Sequence, residues 1–302
     1  MGFDASQNRD YLGKIRLCRD FHYPSRHKPM DAPMTITDDD LARFAAQGAA
    51  PLPLTGRQGY VAHRGARIWQ AQFGSGAPVI LLHGGLGNSG NWGYQVPALV
   101  EAGYAVTVID SRGHGRSTRD GQPYSYDLLA ADVLAVMDEL EMPKAAIVGW
   151  SDGACAGLAL ARSHPERVSG VLFFACNVDA SGTKPFVPTS VIDNCFSRHV
   201  ADYAALSVTP DDFKAFSEAV GVMQRTLPDY SPADLAGIDA PVLVLQSTDD
   251  EFIKTEHAEY LARTLPRARL RLLEGVTHFA PLQRPHLFNA EVLDFLATLP
   301  SD

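Results

Sequence analysis

Cysteine is scarce in this chain: four in 302 residues, Cys18, Cys155, Cys176 and Cys195, with no C-x-x-C pair. Spacing that wide excludes a disulfide-stapled framework and offers no structural zinc pattern. Two of the four stand in apolar runs, where a free thiol acts as a small hydrophobe. Basic residues are also short, 26 Lys and Arg against 35 Asp and Glu, for a net charge of −9. An acidic chain sets up no general field for phosphate backbones, so nucleic acid is not an expected partner. No stretch approaches the roughly 20 apolar residues that span a bilayer. The opening MGFDASQNRDYLGKIRLC lacks the apolar core of a signal peptide. A soluble, reducing, cytoplasmic setting without a membrane partner is the expectation. Met1-Gly2 with Ser6 meets a loose myristoylation pattern, which chance suffices to produce. Repeats and low-complexity tracts are missing too, and 46% apolar with 20% charged residues is an ordinary globular composition. Nothing in the sequence marks a subunit interface, so oligomeric state is left open.

Residues 1–57 mix charges and prolines and read as an N-terminal extension. Within it, Thr37-Asp38-Asp39-Asp40 ahead of LARFAAQ, with Gly48 behind, predicts a helix with a capping hydroxyl, acids in its first turn and glycine past its end. Residues 58–302 then read as one domain. Segments 60–63 and 66–73 around Arg64-Gly65 predict a hairpin. Apolar runs follow at 78–83, 105–110, 145–150, 168–176, 241–247 and 268–274. Helical periodicity separates them, clearest at 126–140, and helices are expected at 255–264 and 285–298. Near-continuous apolar strands alternating with helices predict a mostly parallel sheet covered on both faces. The stretch of about 178–238 is too long for a plain connection and predicts a helical lid, or else a small helical subdomain, after the sixth strand.

Two glycine-rich segments compete to define the chemistry. Gly85-Leu86-Gly87-Asn88-Ser89-Gly90 follows the strand 78–83 and matches G-x-G-x-x-G, with Asp110 at the end of the next strand. That is the layout of a dinucleotide fingerprint, the acid holding a ribose hydroxyl. The second segment, Gly149-Trp150-Ser151-Asp152-Gly153, lies between the run 145–150 and the helical ACAGLALARSHP. G-x-S-x-G at a strand-to-helix turn needs small flanking residues, because the sharp bend exposes its serine above a helix N-terminus. A serine hydroxyl also needs a base to take its proton. His278 comes just past the strand 268–274, and the strand before it runs into Asp249-Asp250-Glu251. Alone, His278 fits a loop histidine and residues 249–251 a solvated acidic turn. With the elbow, they supply nucleophile, acid and base in the order such a site uses.

Over about residues 58–300 the chain resembles the α/β-hydrolase family. Besides the elbow, His83-Gly84-Gly85 is similar to the family's H-G-x oxyanion loop, and Asp110-Ser111-Arg112-Gly113-His114-Gly115-Arg116-Ser117 to its D-x-R-G-x-G-x-S segment. The resemblance implies an α/β-hydrolase fold and selects Asp250 as the catalytic acid, since an aliphatic follows it after two residues. It implies an oxyanion hole from the backbone N–H groups of Gly85 and Asp152. The glycines of 85–90 then serve close approach to a substrate oxygen, and the dinucleotide reading gives way. The implied function is a serine hydrolase, needing no cofactor or metal, that cleaves a small-molecule carboxylic ester through Ser151, His278 and Asp250. A lactone, an amide or a C–C bond beside a ketone are alternative substrates of the same triad, and a receptor that binds without turnover is the alternative outside catalysis. Serine at the elbow, where haloalkane dehalogenases and epoxide hydrolases carry aspartate, sets the chain apart from those branches. The elbow is also similar to that of valacyclovir-hydrolase-like enzymes, whose matching aspartate meets the substrate's α-amine. This implies Asp152 as a substrate-binding residue for a cation; the plainer reading is an acid at a helix N-terminus. Trp92, Phe186 and Met223 are further substrate-binding candidates, the last two from the lid. His83 is expected to orient its loop, and Asp211-Asp212 to cap a lid helix.

Overall fold

The computed structural model describes residues 40–300, so Cys18, the Met1-Gly2 pattern and residues 37–39 of the first expected helix lie outside the described residues. The strands are β1 (Arg57–His63), β2 (Ala66–Phe73), β3 (Ala77–Leu82), β4 (Tyr104–Ile109), β5 (Ala145–Trp150), β6 (Val168–Phe174), β7 (Val242–Ser247) and β8 (Ala268–Leu273). The helices are α1 (Leu41–Gln47), α2 (Gln95–Glu101), α3 (Tyr126–Glu139), α4 (Asp152–Ser163), α5 (Ser190–Leu206), α6 (Phe213–Thr226), α7 (Pro232–Ala236), α8 (Thr255–Thr264), α9 (Ala280–Gln283) and α10 (Pro285–Leu296).

The strands form one sheet in the order β1-β2-β4-β3-β5-β6-β7-β8. β1 and β2 make the expected hairpin and β2 runs antiparallel to β4; all later pairings are parallel. The aliphatic runs follow from burial on both faces. In β3, Ile80 and Leu82 pack into one core cluster, with side chains of α3, α4 and α8, while Val79 and Leu81 pack into another with those of α2 and α10. β5 divides the same way, Ile147 to the first cluster and Ala146 and Val148 to the second. A strand covered on both sides has no polar face to show.

Between β6 and β7 the chain leaves the sheet as α5, α6 and α7, whose Tyr203, Phe213, Phe216 and Met223 join the first core cluster. Thr189 caps α5 by accepting the Ile192 N–H at 3.2 Å. Asp212 stands at the N-cap of α6 as expected, but its side chain accepts none of the free N–H groups there. At α1 the cap likewise differs from the expectation. Asp40 is the N-cap residue without a side-chain cap bond, and its carboxylate instead accepts the Tyr94 hydroxyl at 2.6 Å. Phe44 of α1 is buried in the second cluster, and its ring lies 6.0 Å from that of His199 on α5.

Candidate active site

β5 ends in a turn that no ordinary residue pattern would tolerate. Ser151 has φ 53 and ψ −122, a left-handed conformation that costs a non-glycine residue about 1–3 kcal/mol. The surroundings hold it there: Ser151 N–H donates to Phe174 O at 2.8 Å, and Ser151 O accepts the Ala154 N–H at 2.8 Å as α4 begins. The flanking glycines are demanded by contact. A Cβ on Gly149 would stand 2.4 Å from Ala154 Cα, and one on Gly153 would stand 2.1 Å from Leu82 O.

The expected acid and base lie just beyond β7 and β8. Asp250, just beyond β7, accepts at Oδ1 the N–H groups of Phe252 and Ile253, each at 2.8 Å. Its Oδ2 lies 2.9 Å from His278 Nδ1. Burial opposes the Asp250 charge, but the imidazole and these two donors prevail and hold the carboxyl below its ordinary value. Burial likewise opposes a charged His278, and here Asp250, with Glu251 and Asp152, prevails and raises the pKa above 6.5. The Trp150 ring, next to Ser151 in sequence, lies 6.1 Å from that of His278, so elbow and base face each other. The hydrogen bonds of His278 go to Asp250 and Glu251, and among the described residues none joins it to Ser151 Oγ. Such a bond commonly tightens only when substrate is bound.

Gly84 and Gly85 line the other side of the serine: a Cβ on Gly84 would meet Ser151 Cβ at 3.2 Å. His83 shapes this loop as expected, with Nδ1 donating to Gly84 O at 2.8 Å and Nε2 accepting the Ser111 N–H at 3.0 Å. The N–H groups of Gly85 and Asp152 have no backbone acceptor among the described residues. At Asp152 this follows from its place at the start of α4. The Asp152 side chain is buried: Oδ1 accepts the Tyr126 hydroxyl at 2.9 Å and Oδ2 accepts Gln224 Nε2, from α6, at 3.0 Å. Burial pushes its carboxyl above the ordinary value against the pull of those two donors and of His278. Gln224 also lies over the His83-Gly84-Gly85 loop, its Nε2 only 2.3 Å from where a Gly85 Cβ would be.

The competing glycine motif is occupied by the fold itself. Asp110 is fully buried; Oδ1 accepts the Ser89 N–H at 2.7 Å, and Oδ2 accepts the Arg116 N–H at 2.8 Å and Nη1 at 3.1 Å. No edge of that carboxylate faces a ribose. Among the other candidates, Trp92 is buried against Trp150 and Phe288, and Met223 is buried in the core cluster beneath α6. Phe186 is 42% exposed and stacks on Phe252, which in turn meets the His278 ring at 4.9 Å. Sequence reasoning missed Tyr126, Gln224 and Glu251 as neighbours of the site. Glu251 alone had a signal, its place beside Asp250; no spacing rule marks a tyrosine or glutamine reaching across the fold. The sulfurs of Cys155 and Cys176 lie 3.2 Å apart beneath the elbow as free thiols. Away from Ser151, Asp250 and His278, Arg119, Tyr124, Tyr203 and Thr209 line a cavity of about 480 Å³ under the turn between α5 and α6.

A family model described as the alpha/beta hydrolase fold matches residues 77–222. A putative carbamate hydrolase, RutD of Caulobacter sp. strain K31, is 32% identical over 250 residues, covering 72% of this chain and 90% of that protein. The 2-hydroxy-6-oxononadienedioate/2-hydroxy-6-oxononatrienedioate hydrolase of Cupriavidus pinatubonensis is 29% identical, covering 76% and 90%. Among solved structures, Est816, described as an N-acyl homoserine lactone degrading enzyme, superposes with a TM-score of 0.64 at 27% identity, covering 78% of this chain and 100% of that one.

Proposed function

The chain belongs to the α/β-hydrolase family, and from that premise we propose that it is a serine hydrolase cleaving small-molecule carboxylic esters. The carrying observation is the 2.9 Å contact between Asp250 Oδ2 and His278 Nδ1, set against an elbow that holds Ser151 at φ 53. In this reading His278 Nε2 takes the Ser151 proton as Oγ attacks the ester carbonyl, and Asp250 holds the ring and the cation it becomes. The N–H groups of Gly85 and Asp152 receive the developing oxyanion, each worth about 3–4 kcal/mol in the transition state. His278 then protonates the leaving alkoxide, the alcohol departs, and a water deprotonated by the same base hydrolyses the acyl-enzyme. No step calls for a cofactor or metal.

Residues 58–302 are taken as the catalytic domain, 178–238 as its cap and 1–57 as an extension, in a cytoplasmic protein. Gln224 supports the cap assignment, since it reaches from α6 to the residue after the nucleophile. Asp152 is proposed to receive a substrate's cationic group, supported by its burial beside the elbow. Phe186 is proposed to meet substrate, supported by its stacking on Phe252 beside His278, while Trp92 and Met223, buried in the core, would act only from behind the side chains that do. A second reading, a lactone or carbamate as the acyl donor, is favoured by the relatives and needs no other residues.

The test is labelling with a fluorophosphonate probe, wild type against Ser151→Ala, beside a p-nitrophenyl ester series and matched amino-acid esters. Labelling lost in the variant, with ester turnover, is the expected outcome. No labelling and no turnover of esters, lactones or carbamates would leave the fold to a binding role. Equal losses on neutral and amino-acid esters in Asp152→Ala would remove the cation assignment.

A further inference from the structure

The turn after β7 carries Asp249, Asp250 and Glu251 in succession, and the mechanism so far uses only Asp250. Glu251 is not turned to solvent. Its Oε2 accepts the backbone N–H of His278 at 2.9 Å, while Asp250 Oδ2 holds Nδ1 of the same residue at 2.9 Å. Two adjacent carboxylates thus grip one histidine, at its main chain and at its ring.

The segment that carries His278 has no strand or helix to hold it, and side chains answer its backbone donors instead. Gly275 N–H goes to Thr248 Oγ1 at 2.9 Å, Thr277 N–H to Gln283 Oε1 at 2.8 Å and Phe279 N–H to Thr277 Oγ1 at 3.2 Å. In that series His278 N–H is the donor met by a carboxylate, and charge-assisted bonds are roughly twice as strong as neutral ones. We propose that Glu251 is a positioning residue for the base: it fixes the main chain from which the imidazole projects, and its negative charge joins that of Asp250 in favouring the imidazolium. The inference rests on the reading of His278 as the base.

The electrostatics agree with the geometry. Three acids face the ring, Asp250 and Glu251 from the turn after β7 and Asp152 from the start of α4; against burial, they raise its pKa. Lys184 reaches the same turn, but its Nζ donates to the main-chain Asp250 O, at 2.7 Å. Burial pushes the Glu251 carboxyl above its ordinary value, and the neighbouring Asp250 charge adds to this. Two close acids repel one another beside a neutral ring. They suit a cationic one, which is the form His278 takes once Ser151 gives up its proton.

Glu251→Gln keeps an acceptor for the N–H and removes the charge; Glu251→Asp keeps the charge. In a Ser151→Ala background, NMR of the imidazole follows the His278 titration without reference to activity. The expected result is a midpoint lowered by about half a pH unit or more in Glu251→Gln and recovered at least in part in Glu251→Asp. With Ser151 restored, the acid limb of kcat/KM for p-nitrophenyl acetate moves to lower pH by the same amount, because a weaker base stays unprotonated further into acid. A His278 midpoint unmoved in Glu251→Gln, in protein with the parent's circular dichroism and melting temperature, overturns the proposal. A lowered midpoint in protein that neither labels at Ser151 nor turns over esters upholds the Glu251 contact and sinks the hydrolase reading instead.

Discussion

Asp250 and Asp152 stand within reach of the same imidazole, and their partners drive them opposite ways. Asp250 gains from two N–H donors and the ring, and sits below the ordinary carboxyl value; Asp152, more deeply dominated by burial, sits above it. The first is therefore the firm anion. Replacing it by asparagine keeps the shape but turns a donor toward Nδ1, and kcat should fall by about 10⁴-fold with substrate affinity little changed. Steady-state kinetics on the preferred ester checks this. With His278 as the proposed base, the active form is the neutral imidazole, and its raised pKa predicts activity that falls as pH drops through a midpoint above 6.5. Initial rates between about pH 5 and pH 9 would locate that limb. A flat profile, or a midpoint well below 6.5, would contradict the arrangement of charges around the ring.

At the scale of elements, two buried histidines lie near helices α5 and α6. His114, in the segment after β4, and His199, on α5, are both buried; burial takes their pKa values down to about 3 and about 4. Among the described residues His114 Nε2 and His199 Nδ1 have no hydrogen-bond partner, and the His114 ring meets Phe216 of α6 edge-on at 4.7 Å. Their folded values lie below the unfolded 6.5, so the unfolded chain binds more protons in between, and stability is lost as pH falls from 6.5 toward about 4 and about 3. Each contributes a slope of up to about 1.4 kcal/mol per pH unit in its window. Guanidinium melts from neutrality down to about pH 5 should show that slope, shallower in His199→Leu. An unchanged slope would place the acid sensitivity elsewhere. Elements were also what the sequence showed best. Ile80 beside Leu81 and Ile147 beside Val148 announce strands buried on both faces, because both neighbours must be apolar. The elbow was legible because Gly149 and Gly153 are forced by backbone contact, and chain order then pointed to His278. Gln224 and Tyr126 were invisible for the opposite reason: each meets Asp152 only through the tertiary placement of its helix. The unused caps at Asp40 and Asp212 show the same limit, since a tyrosine hydroxyl takes the first acid and solvent the second.

At the scale of the whole molecule, residues 40–50, the described residues that carry α1, pack against the sheet domain. Phe44 is 2% exposed in the cluster that also holds Leu81, Trp92 and Phe288, and Asp40 N–H donates to Gln283 O at 2.9 Å, close to the base loop. Phe44→Ala should therefore cost about 3–5 kcal/mol, read as a lowered denaturant midpoint. A change near zero would mean that α1 adds nothing to the stability of the sheet.

The strand order has a last consequence, for the moment at which the enzyme comes alive. Ser151 leaves β5 at the middle of the sheet, whereas the acid and base proposed for it leave β7 and β8 at one edge. Synthesis from the N-terminus completes the elbow long before His278 exists. On the proposed mechanism, until β8 pairs with β7 the serine is an inert alcohol on a half-built sheet, and the finished edge is what arms it.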